Sequence, residues 1–144
     1  MPASSRRDPF HGFNFRVEID GVAVAAFAQV SGLSSETEVV EYREGADFRA
    51  RKLPGLTKYA NIVLKRGITV DRSLWEWRKA ITNGRIDRRN GAIILMDAER
   101  NEVARWTFVE GWPAKWEGPD LDARSNDVAI ETLEIAHEGL EWEG

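Results

Sequence analysis

The chain has no cysteine and only two histidines among its 144 residues. Without thiols there is no disulfide framework and no thiolate zinc site, which fits a reducing compartment. His11 and His137 lie far apart and outside any metal-ligand spacing; each reads as a turn or surface residue. Long apolar runs are also missing. The longest, VAVAAFA at Val22–Ala28, is too short to cross a bilayer. The polar start MPASSRRD has no apolar stretch behind it, so it does not read as a signal peptide. The expectation is synthesis and folding in the cytosol, any exit without a Sec-type signal, and no direct membrane insertion. Catalytic motifs are lacking too: there is no G-x-S-x-G, no glycine-rich phosphate loop and no EF-hand. RRNG at Arg88–Gly91 is a basic turn. The carboxylates Glu36, Glu38, Glu131 and Glu134 read as polar strand faces, solvated or between subunits, rather than as an acid–base pair. The protein is expected not to be an enzyme and to need no cofactor and no metal.

What is present is strand pattern. Hydrophobic residues make up 42% and charged residues 31%, which suits one soluble domain with one core. Residues 1–9 read as a loose N-terminal arm and residues 10–144 as a single domain. FNFRVEID alternates, with Phe13, Phe15, Val17 and Ile19 on one side. Asp20-Gly21 is a tight-turn signal, and VAVAAFAQVS reads as the returning strand of an opening hairpin. SETEVVEYREG is a further strand. In YANIVLKRG, Ile62 and Leu64 share a face. DRSLWEWRKAITNG is the one helix, with Ser73 and Glu76 at capping-box spacing, an apolar stripe of Leu74, Trp77, Ala80 and Ile81, and Asn83-Gly84 as the stop. AIILMDAERNEVARWTFVEGW reads as a hairpin turning at Ala98–Glu102, its first strand apolar on both faces. KWEGPDLDARSND reads as a loop. In VAIETLEIAHEGLEW, Val128 and Ile130 are out of phase with Leu133 and Ile135, which predicts a β-bulge near Glu131–Thr132. The fold class expected is mainly β: an antiparallel barrel or sandwich of seven or eight strands with one flanking α-helix.

One segment stands apart in charge. REGADFRARKLPGLTKYANIVLKRG, Arg43 to Gly67, holds seven basic residues and two acids, a local +5 in a chain of net charge −4. Pro54-Gly55 at its centre is turn chemistry, and the segment reads as a long loop with strand ends. Three readings are open. Arg and Lys interleaved with Phe48 and Tyr59 suit phosphate contact and base stacking, although the chain as a whole is acidic. A solvated loop is the plain alternative. The third is complementarity, in which the basic loop of one copy meets the acidic remainder of another and favours head-to-tail association. Of the six tryptophans, Trp77 and Trp106 read as core. Trp112, Trp116 and Trp142 lie near loops or the terminus and read as interface aromatics.

The order DPFHGFNFRVEIDG, VSGLSSETEVVEYREG, RKLPGLTKYANIVLKRG, LWEWRKAI and IETLEIAHEGLEW resembles the tail-tube proteins of contractile-tailed phages. It is equally similar to the inner-tube proteins of extracellular contractile injection systems. The likeness runs from about Asp8 to Trp142, with KLPGLTKYANIVLKRG and HEGLEW as its most specific pieces. It implies a fold shared with the ring protein of type VI secretion. It also implies six copies joined by sheet-edge pairing into a ring, with rings stacking into a hollow tube inside a contractile sheath. Implied partners are the sheath protein, baseplate or spike proteins, tube-terminating proteins, and a lumen cargo, either a toxin effector or phage DNA. The chain would then be a component of a phage-tail-like particle or virion. The loop from about Glu44 to Tyr59 is implied to reach an adjacent subunit or ring. Arg49, Arg51, Lys52 and Lys58 would make the contact, Pro54 and Gly55 would shape the loop tip, and Leu53 and Leu56 would anchor it. The alternatives are a non-polymerising nucleic-acid or cargo-binding adaptor, a baseplate-proximal tube initiator of the same machine, and a carbohydrate-binding β-sandwich.

Overall fold

The computed structural model describes residues 9–12, 14–22, 26–46 and 48–143. Most of the expected N-terminal arm, Phe13 and residues 23–25 of the expected second strand lie outside them. In chain order the elements are β1 (Phe15–Ile19), β2 (Gln29–Ser31), β3 (Ser35–Tyr42), β4 (Arg51–Tyr59), β5 (Ile62–Gly67), α1 (Ser73–Thr82), β6 (Arg89–Met96), β7 (Glu102–Glu117), β8 (Ile130–Ala136) and β9 (Gly139–Glu143). The fold is mainly β with a single helix, as its pattern implies, and every strand pairing is antiparallel. The strands number nine among the described residues rather than seven or eight.

β7 organises the molecule. Its first part pairs with β6 on one side and β9 on the other, and its end pairs with β8. The hydrogen-bonded order is β1-β6-β7-β8-β5-β2, with β9 beside β7. At residue 110 the strand bends: Glu110 takes a positive φ of 54° and its amide donates to Asn90 Oδ1. The ring of Phe108 lies over two glycines here. A Cβ on Gly91 or Gly111 would come within 2.5 Å of it. β1 and β2 are the ends of the order and do not pair with each other. An apolar cleft of about 320 Å³ opens between them, lined by Phe15, Val30, Leu33, Ile93, Leu95 and Trp106 among others.

The core is gathered from both ends of this order: Val17 and Ile19, Ile62 and Leu64, Ile93, Phe108, Leu133 and Ile135, with Leu74 and Trp77 from the helix. Ile62 and Leu64 share the inward face as their spacing predicts. The doubly apolar β6 is flanked by β1 and β7 and buries Ala92, Ile93 and Ile94. Each fully buried aliphatic side chain contributes about 1.5–3 kcal/mol. α1 packs on β7, where Arg78 Nη1 donates to the Pro113 carbonyl at 2.9 Å. Trp77 is buried and donates its indole N–H to the Asp87 carbonyl at 2.8 Å.

Four sequence expectations are corrected. Among the described residues the opening hairpin goes no further than an isolated antiparallel bridge between Ile19 and Val22. Asp20-Gly21 does turn, with Val22 N–H donating to the Ile19 carbonyl at 3.0 Å, but β1 pairs with β6 and the three-residue β2 pairs with β5. The capping box is absent: Ser73 is the first helical residue, and no side chain caps the N-cap Arg72. Asp71 instead accepts from the Ser73 amide at 2.9 Å. The stretch read as a loop from Lys115 begins as strand, because β7 runs to Glu117. Finally, β8 has no bulge. Glu131, Leu133 and Ile135 alternate inward without interruption, and Val128 lies outside the strand and is exposed. The irregularity lies on the partner, where Ala114 of β7 is passed over between Pro113 and Lys115.

Candidate functional site

β3 and β4 form a separate two-stranded ribbon. Among its strand residues all are exposed except Tyr59. Exposed with them are Val39, Val40, Tyr42, Leu53 and Leu56, the last at 70%. An isolated two-stranded hairpin is marginal in water, and apolar side chains raised off a domain mark a contact surface. The segment read as a loop from Glu44 to Tyr59 is therefore largely strand. Of the proposed contact residues, Arg51, Lys52, Leu53, Pro54, Gly55, Leu56 and Lys58 all sit on β4, and Arg49 lies in the connection between the strands. Pro54-Gly55 does not reverse the chain. Pro54 stands opposite Val39, and the register slips between Thr37 and Val39. Pro suits an edge strand because it has no N–H to offer, and a Cβ on Gly55 would lie 3.0 Å from Val40 Cγ2 and 3.2 Å from the Glu38 carbonyl.

Pairing also dissolves the charge imbalance. Glu36 faces Lys58, Glu41 faces Lys52, and Arg51 faces Tyr42. From Ser35 to Tyr59 there are five acids and five bases, so the ribbon is neutral. It is polar across its width, with acids on β3 and bases on β4. Lys65 and Arg66, the remaining basic residues of the segment, belong to β5.

The root of the ribbon is pinned. Gly32, at a φ of 91°, sits where a Cβ would fall 2.0 Å from the Asn61 carbonyl oxygen. The Ala60 amide donates to the Ser34 carbonyl at 3.2 Å. Tyr59 rests on His137 with ring centroids 5.6 Å apart, and His137 Nε2 and Nδ1 lie 3.0 Å from the Ala60 and Gly139 carbonyls. His137 is thus a fastening between the ribbon and the β8–β9 turn, a role its sequence position alone did not suggest.

Beneath the helix start lies a charged group that the alternation concealed. Arg66 and Glu131 are each only 3% exposed. Arg66 Nε donates to Glu131 Oε2 at 3.1 Å and its Nη1 to Asp71 Oδ2 at 3.2 Å. Trp116 Nε1 donates to Glu131 Oε1 at 3.0 Å. Arg66 also stands over the Phe27 ring at 5.5 Å. Glu131 is not on a solvated polar face. The signal for it was its parity with Leu133 and Ile135. Asp71 and Glu131 line a cleft of about 320 Å³ walled by Trp75 and Trp116, whose rings meet at 4.9 Å and 60°. Both carboxylates are already engaged, so the cleft has no acid–base pair to offer. Trp112, Trp116 and Trp142 all lie on strands, Trp116 beside the end of β7 and Trp142 beside the end of β9. Trp142 stacks on Trp106, and Trp116 meets Trp75 at a tilt, which does not make a row of free rings.

The Ser73 amide donating to Asp71, helped by Arg66, holds this carboxyl below the usual carboxylate range. Asp71→Asn is expected to lower stability by about 1 kcal/mol at pH 7. A depressed pKa stabilises fully above the unfolded-chain value near 3.9 and loses that contribution as pH falls through the folded value. Urea titrations of the two proteins should therefore converge below about pH 4; a constant difference would mean that Asp71 acts only through its shape.

The model of the T4-like virus tail tube protein gp19 family matches residues 11–141. The chain belongs to this family. The tail-tube family is one of structural proteins, and this member is accordingly a structural protein rather than an enzyme. Solved structures agree. A chain of the sheath–tube complex of an extracellular contractile injection system, PVC, in its extended state matches with a TM-score of 0.90 at 23% identity, covering 99% of this chain and 98% of that one. A chain of the anti-feeding prophage baseplate, six-fold symmetrised, matches at 0.87 and 28% identity over 96% and 98%. Hcp1 from Flavobacterium johnsoniae matches at 0.61 and 17% identity over 90% and 94%, a likeness of fold alone. No curated protein matches the sequence. No helix among the described residues is long and apolar enough to cross a membrane.

Proposed function

We propose that this tail-tube protein forms hexameric rings that stack into the hollow inner tube of a contractile particle, with the β3–β4 ribbon as the contact between copies. The observation that carries this is the ribbon itself: two strands paired only with each other among the described residues, raised from the core and studded with apolar side chains. A monomer gains nothing from such a structure and carries its edges as a liability. A ring that pairs them turns the liability into a joint. The tube does mechanical work: the sheath shortens, the tube is driven through a target envelope, and cargo passes along its lumen. Sheath, baseplate and terminating proteins are its partners, in keeping with the sheath–tube complex, baseplate and tube-terminating cap from which similar chains come. Assembly in the cytosol and release as part of an extracellular particle complete the reading. The neutral ribbon does not favour a nucleic-acid adaptor, which would present a net basic surface.

Negative-stain electron microscopy over a range of concentration and salt tests this. Wild-type protein is expected to give six-fold rings or tubes. The triple variant Arg49→Glu, Arg51→Glu, Lys52→Glu is expected to remain as single subunits, with an unchanged β-sheet spectrum, at concentrations where wild type assembles. Tubes from the triple variant at the wild-type concentration would remove the ribbon from the interface.

A further inference from the structure

We propose that the ribbon chooses its neighbour by charge: the acidic β3 of one copy lies beside the basic β4 of the next, always in the same sense. This rests on the ring reading above and adds the rule by which copies recognise each other.

Three observations lead to it. Each strand of the ribbon has one edge with no partner strand among the described residues. The acids Glu36, Glu38 and Glu41 are all on β3, and the bases Arg51, Lys52 and Lys58 are all on β4. The register carries this division to both faces. Glu36 and Lys58 share one face, and Glu41 and Lys52 share the other, because side chains alternate along a strand and directly opposed residues lie together. Whichever face a neighbour approaches, it meets an acidic edge on one side and a basic edge on the other.

The consequence is geometric. Two ribbons joined by a two-fold axis would set β3 against β3, or β4 against β4. Antiparallel β3 strands would bring the three glutamates of one copy alongside the three of the other, and like charges gathered along a strand pair destabilise it. That arrangement would also consume an edge of each copy and end growth. Ribbons repeated in one direction instead alternate β3, β4, β3, β4, antiparallel throughout, with every acidic strand between two basic ones. The pairing is heterologous, and it closes into a ring if the rotation allows. Complementary charge here excludes the wrong partner edge more than it adds affinity. The exposed Val39, Val40, Leu53 and Leu56 supply the contact area once the register is chosen.

The test exchanges the two strands' charges. A swapped chain carries Glu36→Lys, Glu38→Lys, Glu41→Lys, Arg51→Glu, Lys52→Glu and Lys58→Glu, with net charge unchanged. It is expected to assemble at the wild-type critical concentration when alone. Mixed with wild type, each chain labelled with a different fluorophore, the two should sort into separate rings, with no energy transfer above that of unmixed samples. The half-variants reversed only on β3 or only on β4 should each need about tenfold more protein to assemble, and a one-to-one mixture of them should assemble better than either alone. Thermal unfolding of each variant controls for the body of the fold. The pairing rule is overturned if swapped and wild-type chains mix freely, if the swapped chain cannot assemble, or if the half-variants assemble like wild type. Wild-type protein that never forms rings overturns the ring reading and this rule with it; wild-type rings with free mixing overturn the rule alone.

Discussion

Replacing Glu131 with alanine is expected to cost about 3–5 kcal/mol, the range for removing one partner of a buried ion pair. Arg66 would keep its charge at 3% exposure with Asp71 as its one ionic partner among the described residues, and the Trp116 indole N–H would lose its acceptor. Burial leaves the guanidinium little water to replace them, and its Nη2 is already buried without a partner among the described residues. The complementary experiment is the double replacement Arg66→Met, Glu131→Leu. It is expected to recover most of the loss, because desolvation of two ions offsets much of their attraction. Urea unfolding at neutral pH reads both as shifts of midpoint at constant slope. A Glu131→Ala protein within about 1 kcal/mol of wild type would mean that Arg66 reaches solvent in solution, and the buried-network description would fail.

The second large effect is expected at Gly32. Gly32→Ala should lower stability by about 3 kcal/mol or more, since an L-residue is strained at its φ and overlaps a main-chain atom as well. The Cβ would lie 2.0 Å from the Asn61 carbonyl oxygen and 3.2 Å from Ile62 Cα. Neither neighbour can rotate away as a side-chain tip would. Gly84→Ala is the control. Gly84 has a similar φ of 82° with nothing within 4 Å of its Cβ position, so it carries the backbone strain without the overlap. If the two variants lose equal stability, close packing at the ribbon root is not what holds Gly32 in place.

How much of this was legible depended on whether the signal was local. Ile62 and Leu64, Ala92 to Ile94, and Leu74 with Trp77 announce buried faces by spacing, and the β6–β7 hairpin announces its turn. The opening hairpin misled because Asp20-Gly21 fixes only a turn, while the partner of β1 is chosen by core packing 80 residues away, at Leu95 opposite Phe15. Glu131 misled for another reason: carboxylates are usually solvated, and the residue that reverses that expectation, Arg66, is 65 positions distant. The basic segment is the most instructive case. Counted along the chain it is a patch of +5; folded, β3 supplies the opposing acids and β5 takes Lys65 and Arg66 away. The residues expected to make contact were read into a loop and lie mostly on a strand, because Pro-Gly marks a turn far more often than it marks an irregular edge strand.

The length of β7 has a further meaning. Sixteen residues of one strand run through both parts of the sheet, so no flexible linker separates the part bearing β1, β6 and β9 from the part bearing β2, β5 and β8. A push delivered to one side reaches the other through covalent main chain, across the bend at Glu110. Hydrogen bonds between strands are then spared from peeling one at a time. A subunit built this way deforms as one piece, a material property that would suit the proposed tube under thrust.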